Sequence, residues 1–250
     1  MRYFIKLSYN GTPYHGWQIQ PDTLTVQGVI ETALSTLLKR PISIMGAGRT
    51  DTGVHATEMY AHFDYDIDLL NTNLVYKLNA FLPKDIVIHD LFKVNKDAHT
   101  RFHATSRTYL YRITLGKNAF TYNNTYFVKQ KLDVDKMNQA SKILLDYRDF
   151  QCFSKTNTDV KTYYCNITTA TWFFNNNELH FTITADRFLR NMVRAIVGTM
   201  VNIGVGKLNI EDLHRIIASK NRSEAGFSVP AQALYLTKIE YPKSINIINE

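Results

Sequence analysis

Apolar residues alternate with polar ones over residues 2 to 9, placing Tyr3, Ile5, Leu7 and Tyr9 on one face of a strand, and Asn10-Gly11 supplies the turn after it. From Thr25 the period changes. Val26, Val29, Ile30, Ala33, Leu34, Leu37 and Leu38 recur at helical spacing until Pro41 stops the run, which predicts a core-facing amphipathic helix. Strand-like segments follow at 42–46 and 57–64, then a short helix at 70–80 and a β-rich run at 85–94 (DIVIHDLFKV). The order β-α-β-β-α-β is that of a ferredoxin-like half.

A long strand is predicted over 105–115, and the polar, Asn- and Tyr-rich stretch 117–130 then reads as a connection or insertion. The domain boundary is placed there, giving halves 1–115 and 116–250. The second half shows a helix at 133–146, strands at 162–174 and 178–186 joined through Asn175-Asn176-Asn177, and a helix entered at Arg187. A short helix at 209–219 and a strand at 234–240 complete it. The two halves mix strands and helices similarly, without a residue-level repeat, and only the last eight residues read as a tail.

A chain of 250 residues that is 45% hydrophobic can bury one large core or two smaller ones. Twenty-nine Lys and Arg against twenty-two Asp and Glu leave a net charge of +7, which favours a polyanionic partner, nucleic acid before an anionic membrane surface. Lys6 and Ser8 interrupt the first apolar run, so no signal peptide is expected, and no stretch approaches the roughly 18 apolar residues of a membrane span. Cys152 and Cys165 form no CxxC pair and have no His at metal-ligand spacing. A reduced cytoplasmic setting, with both thiols as small buried hydrophobes, is the simplest expectation.

Three clusters could carry chemistry. The densest is Gly46 to Ala56, where three glycines, Arg49, Asp51 and His55 fall within eleven residues between two predicted strands. Glycines let a backbone approach a ligand, and Arg49 and His55 could contact phosphates on either side of the carboxylate. The plain alternative is a turn in which Asp51 hydrogen-bonds its own loop. Asp51-Thr52-Gly53 is also the tripeptide of aspartic proteases, which need two facing carboxylates sharing a proton. This chain has one such tripeptide, so only a homodimer could supply the second, and Arg49-Thr50 stands where such a protease has an apolar strand.

The second cluster is the strand Ser106 to Arg112, whose alternation puts Arg107, Tyr109 and Tyr111 on one face. A cation beside aromatics suits phosphate contact and base stacking, with core tyrosines as the alternative. The third is the segment Arg187 to Gly198, read as a helix with an apolar arc and with Arg187, Arg190 and Arg194 at i, i+3 and i+7 as a phosphate track or a solvated face.

These residues resemble a known family. GRTDTGVHA (48–56) resembles the catalytic segment of TruA-type tRNA pseudouridine synthases, and YNGTPYHGWQIQ (9–20) resembles that family's opening segment. SRTYLYR (106–112), LLDYRDFQCF (144–153), FLRNMVRAIVGTMVNIGVGK (188–207) and VPAQALYLTKIEY (229–241) resemble its tyrosine strand, Asp-Phe segment, arginine helix and closing segment. The six stretches run in family order across nearly the whole chain.

The resemblance implies an α+β pseudouridine synthase fold: a mixed, mostly antiparallel central sheet flanked by helices, built from two ferredoxin-like halves. It implies Asp51 as the catalytic aspartate, Tyr109 as the tyrosine stacking on the target base, Arg194 as the basic partner of the aspartate, and Leu234 as a pocket-lining residue. Arg49, His55, Arg107, Arg187 and Arg190 are expected to bind substrate. Expected substrates are uridines at tRNA positions 38 to 40 in the anticodon stem-loop, handled by a homodimer without metal, cofactor or membrane. Two positions depart from the family pattern: Ala233 stands where Gly is usual, and Lys161-Thr162-Tyr163-Tyr164 replaces a strand that usually contains Arg. The non-enzyme alternative is an RNA-binding module with a dead site, against which Asp51, Tyr109 and Arg194 all stand intact.

Overall fold

The computed structural model describes residues 1–156 and 160–245, so most of the expected tail lies outside the described residues. The described residues form nine strands and five α-helices, an α+β protein whose strands pair mostly antiparallel. The chain divides into two compact units, 1–105 with the end of the chain from Leu236, and 106–235. Compared with the expected halves 1–115 and 116–250, the second unit takes in the long strand of the tyrosine cluster. The closing strand runs from the second unit into the first.

In the first unit, β1 (Arg2–Tyr9) lies between β3 (His55–Asp64) and β4 (Ile86–Val94), antiparallel to both, and the short β2 (Met45–Gly46) pairs with β3. Tyr3, Phe4, Ile5 and Leu7 of β1 are buried. Helix α1 (Val26–Leu38) starts where the Thr25 hydroxyl accepts from the Gly28 N–H, and ends at Lys39, which takes the left-handed conformation at φ 54°. Its apolar stripe, Val26, Ile30, Ala33 and Leu34, is buried.

The predicted strand 42–46 shrinks to its last two residues for a specific reason. The Ile42 N–H donates to Ser35 Oγ and the Ile44 N–H to Glu31 Oε1, so α1 side chains take donors that a ladder would need. Helix α2 (Leu74–Phe81) likewise starts later than expected, because Leu70 to Asn73 form a turn: the Leu70 N–H donates to Asp68, the Thr72 N–H to Leu69 O, and Asn73 sits at φ 52°.

In the second unit, β5 (Ser106–Thr114) pairs with β6 (Tyr126–Phe127) in parallel, and β6 lies inside the stretch read as a plain connection. Helix α3 (Val134–Ile143) is capped by Asp133, whose carboxylate accepts from the Lys136 N–H. Strands β7 (Ile167–Asn175) and β8 (Glu178–Ala185) form a hairpin turning through Asn176 at φ 52°, and β8 also pairs with β5. Residues 162–166, expected in β7, instead fold back: the Cys165 N–H donates to Arg148 O and Tyr164 bridges Asp149. Arg112 on β5 holds Glu178 through two 2.8 Å bonds, and Glu178 also meets His180 Nε2.

Helix α4 (Met192–Gly204) is followed by α5 (Asp212–Ser219), and β9 (Leu234–Glu240) closes the chain, running beside β3 within the first unit. The helix expected from Arg187 begins five residues later. The Asp186 carboxylate accepts from the Asn166 and Arg187 N–H groups, and Asn191 takes φ 68°, so 187–191 forms an irregular turn before the helix. Arg187, Arg190 and Arg194 therefore do not share a helical face. Nor is α4 amphipathic in the expected sense, since all its residues except Arg194 and Asn202 are buried.

Candidate active site

The loop Gly46 to His55 lies in the first unit and is fastened by the segment Tyr9 to Trp17. Tyr9 Oη pairs with Thr50 Oγ1 at 2.8 Å, the Trp17 N–H donates to Thr50 O at 3.2 Å, and the Gly53 N–H donates to Tyr14 O at 3.3 Å. The Gly11 N–H donates to His55 Nδ1 at 3.0 Å. Within the loop the Val54 N–H returns to Asp51 O at 3.1 Å, a turn that Gly53 permits by its φ of 78°.

Gly16, at φ 88°, lies so close to the loop that a Cβ there would overlap Thr50 O and sit 3.2 Å from the Asp51 carbonyl carbon. Tyr14 is itself anchored, its hydroxyl donating to Asp85 Oδ1 at 2.6 Å, and burial pushes its phenol above the usual range. The segment 9–17 is thus the seat of the loop, a role that no residue in it advertises by type.

On this seat Thr50, Val54 and His55 are buried, Asp51 is half-buried, and Arg49 and Thr52 are exposed. Asp51 is thus a half-buried carboxylate on a loop whose backbone is bonded on both sides of it. Arg49 stands at the surface beside it. His55, expected to bind substrate, is only 3% exposed, and its Nδ1 faces the Gly11 N–H.

The second unit places Tyr109 on β5 opposite Ile183 of β8, with its ring edge-on to Phe188 at 5.1 Å. Arg107, two residues earlier, donates to Asp186 O at 2.7 Å. Tyr111, on the same face, is fully buried and donates to Pro230 O at 2.9 Å, so this end of the face is core. Burial pushes the Tyr111 phenol above its ordinary range, with Tyr126 adding to the rise and Arg194 opposing it.

Arg194 lies in the first turn of α4 and is fixed by reciprocal bonds: its Nε donates to Val229 O at 2.7 Å, and the Val229 N–H donates to Arg194 O at 3.3 Å. The segment around Val229 packs against α4 at backbone contact. A Cβ on Gly198 would overlap Phe227 O, and one on Gly226 would overlap Thr199 N. The Gly226 N–H donates to Thr199 Oγ1 at 2.8 Å. Arg222 completes the clamp, donating to Ala225 O, Gly226 O and Ser228 Oγ, while Asn191 Nδ2 donates to the same Ser228 Oγ. Arg222 was not singled out from the sequence; it lies between the recognisable segments, and only the fold gives it a task.

Arg187 reaches Thr162 O at 3.5 Å, and the backbone of the exposed Arg190 accepts from the Lys155 N–H. Leu234 is buried at 6% exposure, next to the fully buried Ala233, which ends a 3₁₀ turn. Both cysteines are buried and free, and burial pushes each thiol up to about 12. Among the described residues no three His, Cys, Asp or Glu side chains gather as metal ligands would, and no helix is long and apolar enough to cross a membrane.

A family model described as tRNA pseudouridine synthase matches residues 140–242. Over 246 residues the chain is 50% identical to a tRNA pseudouridine synthase A of Bacteroides fragilis, covering 98% of each protein. The chain belongs to the tRNA pseudouridine synthase A family. Other members extend the likeness: a Bacteroides thetaiotaomicron protein of the same name is 49% identical over 98% of this chain and 92% of its own length. One from Acetivibrio thermocellus is 38% identical over 94% and 97%. Membership in this family sets aside the aspartic protease reading, and the likeness runs through both the Asp51 loop and the α4 clamp.

Proposed function

We propose that this chain isomerises uridine to pseudouridine in tRNA, at positions 38, 39 and 40 of the anticodon stem-loop. The observation that carries the reading is the Asp51 loop, a half-buried carboxylate on a backbone held by Tyr9, Gly11, Tyr14 and Trp17, in a chain that is half-identical to synthases of this name along its length.

The reaction breaks the N1–C1′ glycosidic bond, turns the uracil over, and forms a C5–C1′ bond; C5 gives up its proton and N1 gains one. Nothing is oxidised, reduced or lost, so side chains suffice. Asp51 acts on the ribose, as nucleophile at C1′ or as base at C2′. The target nucleotide leaves its stack to reach it.

Tyr109 stacks on the extruded base, Leu234 lines its pocket, and Arg194 is the basic partner of Asp51. Arg49, Arg107, Arg187 and Arg190 take phosphates and position the stem without reading its sequence. His55 belongs to the same substrate-facing loop and supports it from below. The working form is a cytoplasmic homodimer requiring no metal or cofactor.

The test is tritium release from tRNA labelled at uridine C5, using a transcript that lacks the modification, with the product position mapped afterwards. Stoichiometric release at positions 38 to 40 is expected. Binding without release would leave only the inert module.

A further inference from the structure

Four rings lead from the core of the first unit to its surface. Phe4, 1% exposed, lies 5.9 Å from the His62 ring, His62 lies 4.6 Å from His99, and His99 lies 4.2 Å from Phe102 at an interplanar angle of 35°. The series ends on a side chain that is 73% exposed. A single apolar ring on a protein surface is common and by itself points to nothing. This one is held out.

The Arg101 and Phe102 N–H groups both donate to His99 Nδ1, at 3.1 and 3.4 Å, and the His103 N–H donates to His99 O at 3.0 Å. Thr100, fully buried, pairs with His62 Nδ1 at 2.8 Å and donates to Met45 O at 2.7 Å. Met45 is the residue directly before the Asp51 loop, so the turn carrying Phe102 and the loop carrying Asp51 share one support. The Arg101 guanidinium carbon stands 5.7 Å from the Phe102 ring centre. Burial holds His62 down at about 4 and His99 below its ordinary value, so both rings beneath Phe102 are neutral at pH 7.

We propose that Phe102 is a stacking platform for an unpaired base of the RNA substrate other than the uridine being isomerised. The inference rests on RNA being the substrate, as proposed above. A rigid, exposed aromatic face with a cation at its side is what sequence-tolerant RNA stacking sites present, and the chain's charge of +7 favours the same partner. The ring column in the protein gains its next member from the RNA.

The test compares Phe102→Ala, Phe102→Leu, Phe102→Tyr and Phe102→Trp for equilibrium binding of an unmodified tRNA transcript, for tritium release in a single turnover, and for melting temperature. Loss of one stacked base raises Kd about tenfold in the Ala and Leu variants. Tyr and Trp should bind as wild type, and all four should melt with it, because the ring is exposed. Wild-type affinity in Phe102→Ala, or equal losses in Phe102→Ala and Phe102→Trp, would overturn the assignment. Failure of the enzymatic reading shows separately, as absence of tritium release by the unaltered protein.

Discussion

Replacing Gly16 by Ala tests whether the segment 9–17 seats the Asp51 loop. Gly16 adopts φ 88°, and a side chain in such a left-handed conformation costs roughly 1–2 kcal/mol. The added Cβ also overlaps Thr50 O and stands 3.2 Å from the Asp51 carbonyl carbon, both backbone atoms that no rotamer change can move aside. Relief requires the loop to shift by about 1 Å, and a displacement of that size at a reacting group lowers turnover about 100-fold.

Gly48, in the same loop, is the control: a Cβ there meets nothing within 4 Å, and its φ is not in the left-handed region. The assay is single-turnover tritium release at saturating enzyme, with urea melts of both variants. Gly16→Ala should fold, lose no more than a few kcal/mol, and slow by about two orders of magnitude, while Gly48→Ala stays near wild type. A folded Gly16→Ala protein with the wild-type rate would refute the seating argument.

His55→Ala leaves the Gly11 N–H without its acceptor and should cost about 1–3 kcal/mol in denaturant unfolding, and His55→Asn, which restores an acceptor, should recover much of it. Arg194→Lys keeps the charge but has no Nε–H for Val229 O, so its kcat should fall between wild type and Arg194→Ala; equal rates in Lys and wild type would show that charge alone suffices. His62 titrates near 6.5 in the unfolded chain and at about 4 when folded, so its contribution is intact above 6.5 and is lost as pH falls from 6.5 to 4. That loss amounts to about 3 kcal/mol, and His62→Gln should remove it from the pH dependence of urea melts.

Strands β1, β3, β5, β8 and β9 and helix α1 were legible because their periodicity is dictated by one buried face and agrees with local turn and cap residues: Asn10-Gly11 after β1, Thr25 before α1. The errors came where side chains claimed backbone groups. Ser35 and Glu31 hold residues 42–44 out of the sheet, and Asp186 with Asn191 holds 187–191 out of α4. Apolar spacing is blind to such bonds. It continued through Phe188 and Leu189 as if the helix had begun, and so drew three arginines onto one face.

The Asp51 loop stands out in the sequence as a candidate site, since glycine, arginine and carboxylate are recognisable by type. Its support does not. Gly11, Tyr14 and Trp17 act through backbone groups and Tyr9 through its buried hydroxyl, and in the second unit Arg222 acts through three acceptors within its next six residues.

The most direct measurement is single-turnover tritium release by Asp51→Asn enzyme freed of deamidated protein, alongside its equilibrium binding of the same tRNA. The amide is nearly isosteric with the carboxylate but can serve as neither nucleophile nor base. Wild-type affinity with no release of tritium is the expected result. Release at a measurable fraction of the wild-type rate would contradict the assignment of Asp51 as the catalytic group.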